Sequence, residues 1–357
     1  MLCVFLACIQ CASRIEECGL NEERDTEPET VYDLHPGDIC SIAGIGDSHM
    51  SGFGMKRNKG LNIDGMVYED LGASFFCGGD PGVPTVANFL RRFNPGLVGV
   101  SRGSSPVYLC ENVWCNPGAK EYSPEQNAFN SGFGGSTSAH LGRQLDYLRD
   151  TFKHKRKDLM WKRKLIGVYI GETDLFRNCC EAASGKSGSA EFFEASLEKA
   201  LVRIEGTFPK TLVVLYLLPE MSGLDSYLAL YPRCHGKWSI ATNMCPCVLL
   251  CKEKYLSAWK QFNEAIWRVS DKFQGKGSYF GVTVVPCLWD TVNRGAVRND
   301  RSTFTSKDDC FSMSLEAHRA VATSTWNSLF VSPEKRRRNI DTGGVLYCPT
   351  GEDRFSL

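Results

Sequence analysis

The run Cys40-Ser41-Ile42-Ala43-Gly44-Ile45-Gly46-Asp47-Ser48 carries the first chemistry in this chain. A short apolar stretch ends in Gly-Asp-Ser, with Gly52 and Gly54 close behind. That is the pattern of a buried strand that stops at a tight turn. In a parallel α/β sheet, ligands gather at the carboxyl ends of strands. There a serine hydroxyl is exposed and the next turn offers backbone N–H groups to an anion. Ser48 is therefore the first candidate nucleophile; the plainer alternative is that Asp47-Ser48 only caps the following helix.

A second grouping is Cys234-His235, Cys245-Pro246-Cys247 and Cys251. Zinc sites favour gaps of two to four residues between paired cysteines. Cys245 and Cys247 have a gap of one, so disulfides within an insertion are the better reading. Adjacent Cys179 and Cys180 cannot easily bond to each other, so each reaches elsewhere. The glycine-rich Ser131–Ser136 stretch follows no strand and lacks a P-loop lysine, which leaves a flexible loop. His35, His140, His154 and His235 have no motif around them. No cofactor and no metal is expected.

The elements that would position Ser48 follow from hydropathy. Brief β-branched runs at 40–45, 97–100, 165–170, 212–218 and 279–286 read as buried parallel strands. Between them lie apolar stripes at helical spacing: Val86/Phe89/Leu90/Phe93, Leu141/Leu145/Leu148/Phe152, Phe193/Leu197/Leu201/Ile204, Tyr255/Trp259/Phe262/Ile266 and Leu315/Val321/Trp326/Leu329. This alternation predicts a mostly parallel sheet covered on both faces.

The 357 residues fit one large domain, with 41 basic and 41 acidic side chains. Zero net charge gives no case for nucleic acid or an anionic membrane surface, and no apolar run reaches the roughly 18–20 residues of a bilayer span. Residues 1–12 read as a signal peptide, 13–37 as an irregular arm and 38–332 as the domain, with a Cys-rich insertion at 221–251. Residues 333–357 form a tail in which Lys335 to Arg338 make a solvated turn. Removing Cys3, Cys8 and Cys11 leaves an even number of the 17 cysteines. That suits disulfides and a secreted protein, although the chain has no Asn-x-Ser/Thr sequon.

Taken in order, several blocks resemble one family. They are Gly46-Asp47-Ser48 with Gly52 and Gly54, Gly78-Gly79-Asp80, Phe93-Asn94-Pro95 to Ser101, and Gly118-Ala119-Lys120 with Pro124 and Gln126. Asp290-Thr291, Asp309-Cys310-Phe311 with His318 and Trp326-Asn327, and Cys348-Pro349 follow. The chain resembles the phospholipase B-like branch of the SGNH (GDSL) hydrolases along nearly its whole length. The resemblance implies a three-layer α/β/α sandwich with a mostly parallel, five-stranded, flavodoxin-like sheet. It also implies hydrolysis of acyl esters, usually of phospholipids. In that family a serine attacks the carbonyl, and a histidine in Asp-x-x-His is the general base. The serine N–H, a glycine N–H and an asparagine side chain hold the oxyanion. Ser48 then fits the nucleophile, Gly118 the glycine donor and Asp309 the orienting carboxylate, with Asp47 and Asp174 as binding positions.

Two positions depart from the pattern. The family's Asp-Cys-Phe-His reads Asp309-Cys310-Phe311-Ser312, and its Gly-Gly-Asn-Asp-Leu reads Gly171-Glu172-Thr173-Asp174-Leu175. A serine cannot serve as base near neutral pH, and Thr173 is shorter than the oxyanion asparagine. Losing one oxyanion donor costs about 2.7–4 kcal/mol, and losing a triad member costs more. The expectation is a phospholipid or other acyl-ester lipid partner with little or no hydrolysis. The alternative is a working lipase or esterase with an unconventional base, His318. A disulfide-rich binding module without a cleft is a third reading.

Overall fold

The computed structural model describes residues 11–19, 27–55, 68–107, 121–181, 188–223, 247, 251–275, 277, 279–290, 304–306 and 312–357, with the side chains of 177–181 left out. The strands are β1 (Cys11–Ala12), β2 (Ser41–Gly46), β3 (Tyr68–Glu69), β4 (Ser105–Pro106), β5 (Lys164–Tyr169), β6 (Thr211–Tyr216), β7 (Phe280–Val285) and β8 (Leu346–Tyr347). The helices used below are α1 (Ser48–Ser51), α2 (Val86–Phe93), α3 (Pro124–Asn127), α4 (Leu141–Lys155), α5 (Glu172–Glu181), α6 (Ala190–Thr207), α7 (Lys252–Asp271) and α8 (Leu315–Ser328).

Four strands form the central sheet in the order β2-β5-β6-β7, all parallel. Every residue of the four is buried, as expected for a sheet covered on both faces. The register runs Ile42 beside Leu165, Leu165 beside Leu212, and Leu212 beside Gly281. On one face α4, α6 and α7 pack together, with Phe193 stacked on Phe262 at 4.6 Å. α2 and α8 form a second packed pair, where Trp326 lies 5.7 Å from Phe89 and 5.8 Å from Phe93. The result is an α/β sandwich.

The expected fifth strand, 97–100, is reduced to a bridge. Val98 pairs with Ser41, and its backbone exchanges hydrogen bonds with Ile42 and Cys40 at 3.0 Å each. The run then breaks at Gly99, whose φ is +98° and where a Cβ would overlap the Ile42 carbonyl. Phe129 to Ser131 continue that edge by bonding to Gly44. The five-strand expectation thus becomes four strands and a two-piece edge.

The glycine-rich stretch is not a loose loop. It is mostly buried, and Ser131 and Gly134 donate backbone N–H groups to the Gly44 carbonyl and the Glu69 carboxylate. A Cβ at Gly134 would crowd the Phe53 ring, so the glycines permit close packing. Nor is the basic tail simply solvated. Arg336 is 6% exposed and donates to the carbonyls of Ser328, Val331, Val284 and Ser356 and to the Thr283 hydroxyl. Its neighbours Arg337 and Lys335 do face solvent.

Arm and tail both enter the core. Val31 and Leu34 are fully buried, as is Phe355, β1 pairs antiparallel with β8, and a disulfide joins Cys18 to Cys348. Cys247 is also disulfide-bonded, to a partner outside the described residues, where the rest of the cysteine insertion up to Cys245 lies. Cys40, Cys77 and Cys251 are free thiols, and Cys77 packs against β2 as a small apolar side chain. Among the described residues no helix is long and apolar enough to cross a membrane.

Candidate active site

The turn after β2 is built around Gly46. Its φ is +153°, and a Cβ there would overlap the Tyr169 carbonyl of β5, so only glycine lets the strands close at this end. The Gln144 side chain of α4 holds Gly46 through both its N–H and its carbonyl, at 2.8 Å each. The Asp47 N–H donates to the Tyr169 carbonyl at 2.9 Å. The Asp47 carboxylate accepts the N–H groups of His49 and Glu172, both at 3.3 Å. Asp47 is therefore the cap foreseen in the alternative reading, and Ser48 is the first residue of α1 at the strand end.

The Ser48 side chain is nearly enclosed, at 9% exposure. Its carbonyl accepts from Ser51 and Phe53, while its Oγ has no hydrogen-bond partner among the described residues. Thr173 stands in the first turn of α5, at the end of the neighbouring strand β5, and is 5% exposed. Sheet order thus brings Ser48 and Thr173 to adjacent strand ends. Asp174 is engaged elsewhere: it accepts the Ser138 N–H at 2.8 Å and the Ser138 hydroxyl at 2.6 Å, anchoring the loop before α4. Ser312 is buried beside the Thr305–Met313 bridge, and its carbonyl accepts the Ser306 N–H. The Ser306 hydroxyl donates to the Gly54 carbonyl at 2.6 Å, which ties this late segment to the turn after α1. Gly118 and Asp309 lie outside the described residues.

Two buried imidazoles adjoin the site. His318 of α8 accepts the Phe75 N–H on Nδ1 at 3.1 Å. Its proton therefore sits on Nε2, which has no partner. A ring in that state has no lone pair left to take a serine proton, and burial holds its pKa at about 3. His49 stacks on Tyr169 at 5.2 Å, and its Nε2 lies 3.0 Å from the Glu172 carboxylate. Burial keeps this imidazole neutral, so Nε2 donates and Nδ1 is left as an unpartnered acceptor. Burial likewise raises Glu172 to about 7, and raises Asp47 through burial and the nearby Glu172 charge.

The donor atoms of Asp47, His49 and Glu172 lie within 4.8 Å of one another, all buried. The sequence reading missed this group. Its visible trace was Glu172, standing where the resembled family has glycine. An open groove of about 900 Å³ lies between the arm, α2 and α8, lined by Arg14, Asn88, Arg92 and Glu316 among others. It includes none of Ser48, Thr173 and Ser312.

No family profile matches the chain. Over 354 residues it is 28% identical to mouse "Phospholipase B1, membrane-associated", and over 359 residues 29% identical to the human protein of that name. Each alignment covers 95% of this chain, which spans about a quarter of those relatives' length. A solved GDSL-like lipase from Parabacteroides merdae aligns with 79% of this chain and 92% of its own, at 15% identity and a TM-score of 0.44. Along nearly its whole length this chain is thus similar to phospholipase B1 proteins, at 28–29% identity.

Proposed function

We propose that this protein is a secreted phospholipase B-like protein that has lost ordinary ester hydrolysis and binds a lipid or another acyl compound in the former cleft. The observation that carries the reading is Ser312, at the position where the family has its general-base histidine. A hydroxyl there cannot accept a proton from Ser48 near neutral pH. The absence of an imidazole partner on Ser48 Oγ among the described residues supports it. So does His318, whose Nδ1 lone pair is already committed to Phe75, which weakens the case for a substitute base. Thr173 in place of asparagine removes a further factor of roughly 10²–10³ in rate. Lipid binding survives these losses because apolar burial of an acyl chain does not need a base.

The test is covalent labelling with a fluorophosphonate. The wild-type chain should label no faster than Ser48→Ala; clear labelling lost in that variant would overturn the inactive reading. Restoring the family residues, Ser312→His with Thr173→Asn, should raise esterase turnover. A folded double variant with no gain would tell against placing Ser312 at the base position. Liposome and fatty-acid binding by the unmodified protein tests the lipid role separately.

A further inference from the structure

We propose that Asp47, His49 and Glu172 form a site for one divalent transition-metal ion, Zn²⁺ before others, beneath the Ser48 turn. This inference does not depend on the lipid reading. The three side chains come from the ends of adjacent strands: Asp47 and His49 follow β2, and Glu172 opens α5 after β5. They are 0%, 2% and 3% exposed. Their donor atoms lie within 4.8 Å of one another, and His49 Nε2 is 3.0 Å from Glu172 Oε2. Zinc binds imidazole nitrogen and carboxylate oxygen at about 2.0–2.2 Å. Donors so held sit close together, so this triangle needs little contraction.

Two further observations point to a ligand. Glu172 Oε1 is buried without a hydrogen-bond partner, although buried polar atoms are nearly always satisfied. In addition, among the described residues no lysine or arginine forms an ion pair with Asp47 or Glu172. Their partners are His49, the Tyr169 hydroxyl and two backbone N–H groups. Two buried carboxylates and a neutral imidazole lack a cation, and a divalent ion supplies it. The outer contacts also fit. Tyr169 donates to Glu172 at 2.8 Å, and the N–H groups of His49 and Glu172 hold Asp47, orienting both carboxylates as ligand carboxylates are oriented elsewhere. One imidazole with two carboxylates is a mixed N/O set suited to zinc or manganese rather than to a thiolate-seeking ion. On binding, the Nε2 lone pair goes to the metal and its proton moves to Nδ1, so the ring stays neutral.

The test uses the full chain, stripped with EDTA and dialysed against Zn²⁺, with metal content and calorimetric affinity as readouts. Wild type should retain one equivalent from this site. Glu172→Gln keeps an acceptor for Tyr169 and should weaken binding at least about tenfold. Glu172→Gly, the family's own residue, should abolish it. Because cysteines elsewhere could also take zinc, Co²⁺ replacement on the wild-type chain locates the ion. An N/O site gives no near-ultraviolet sulfur-to-cobalt charge transfer. Absence of uptake, a dominant thiolate band, or uptake unchanged in both Glu172 variants overturns the proposal.

Discussion

A serine at a strand end is only as nucleophilic as the group that takes its proton. Ser48 opens α1 with its hydroxyl unpartnered among the described residues; near it His318 spends its Nδ1 lone pair on Phe75, and His49 faces Glu172 through Nε2 while its Nδ1 meets no partner. Residue chemistry also sets a pH dependence away from this turn. Glu69 is buried, accepts the Gly134 N–H, and is raised from 4.5 to about 7 by burial. The folded chain therefore holds a proton that the unfolded chain releases in this interval. The stabilisation is complete below about pH 4.5 and is lost as pH rises through about 7, by up to about 3 kcal/mol. Urea midpoints measured between pH 5 and 8 should fall, and Glu69→Gln should flatten that slope. An unchanged slope would show that Glu69 does not titrate in this range.

At the scale of elements, the strand ends do the positioning. Gly46→Ala would force β2 away from the Tyr169 carbonyl. Overpacking of this kind costs about 1–3 kcal/mol or more. The expected outcome is a lower melting temperature together with a changed near-ultraviolet signal from the stacked His49–Tyr169 environment. On the other helix pair, Trp326 is fully buried between Phe89, Phe93 and Phe330. Trp326→Ala should cost about 3–5 kcal/mol in urea unfolding, and a loss below 1 kcal/mol would mean the α2–α8 interface collapses to fill the void. These elements were the legible part of the sequence. The runs at 165–170, 212–218 and 279–286 became β5, β6 and β7 within two residues at each end, and all five apolar stripes became helices. The run at 97–100 failed as a strand because Gly99 turns the chain away after one bridge. Local hydropathy does not register that turn.

At the scale of the molecule, the two ends of the described chain hold each other. The Cys18–Cys348 disulfide closes 330 residues, and Arg336 bonds to carbonyls from α8, β7 and the last residues. Reduction, or Cys18→Ser with Cys348→Ser, should lower stability by about 2–5 kcal/mol. A reducing agent that leaves the melting temperature unchanged would contradict this.

The sequence by itself determined the order of strands and helices and the place of Ser48, because hydrophobic period and turn glycines are local properties of the chain. Set against the resembled family, it also raised the expectation that Ser312 and Thr173 depart from the pattern, since motif blocks are read in order. Only the tertiary structure decided that Glu172 meets His49, that His318 spends its lone pair on Phe75, and that Arg336 is buried. Each of those contacts joins residues far apart in the chain, so it depends on which strand ends and helix faces the packed sheet brings together.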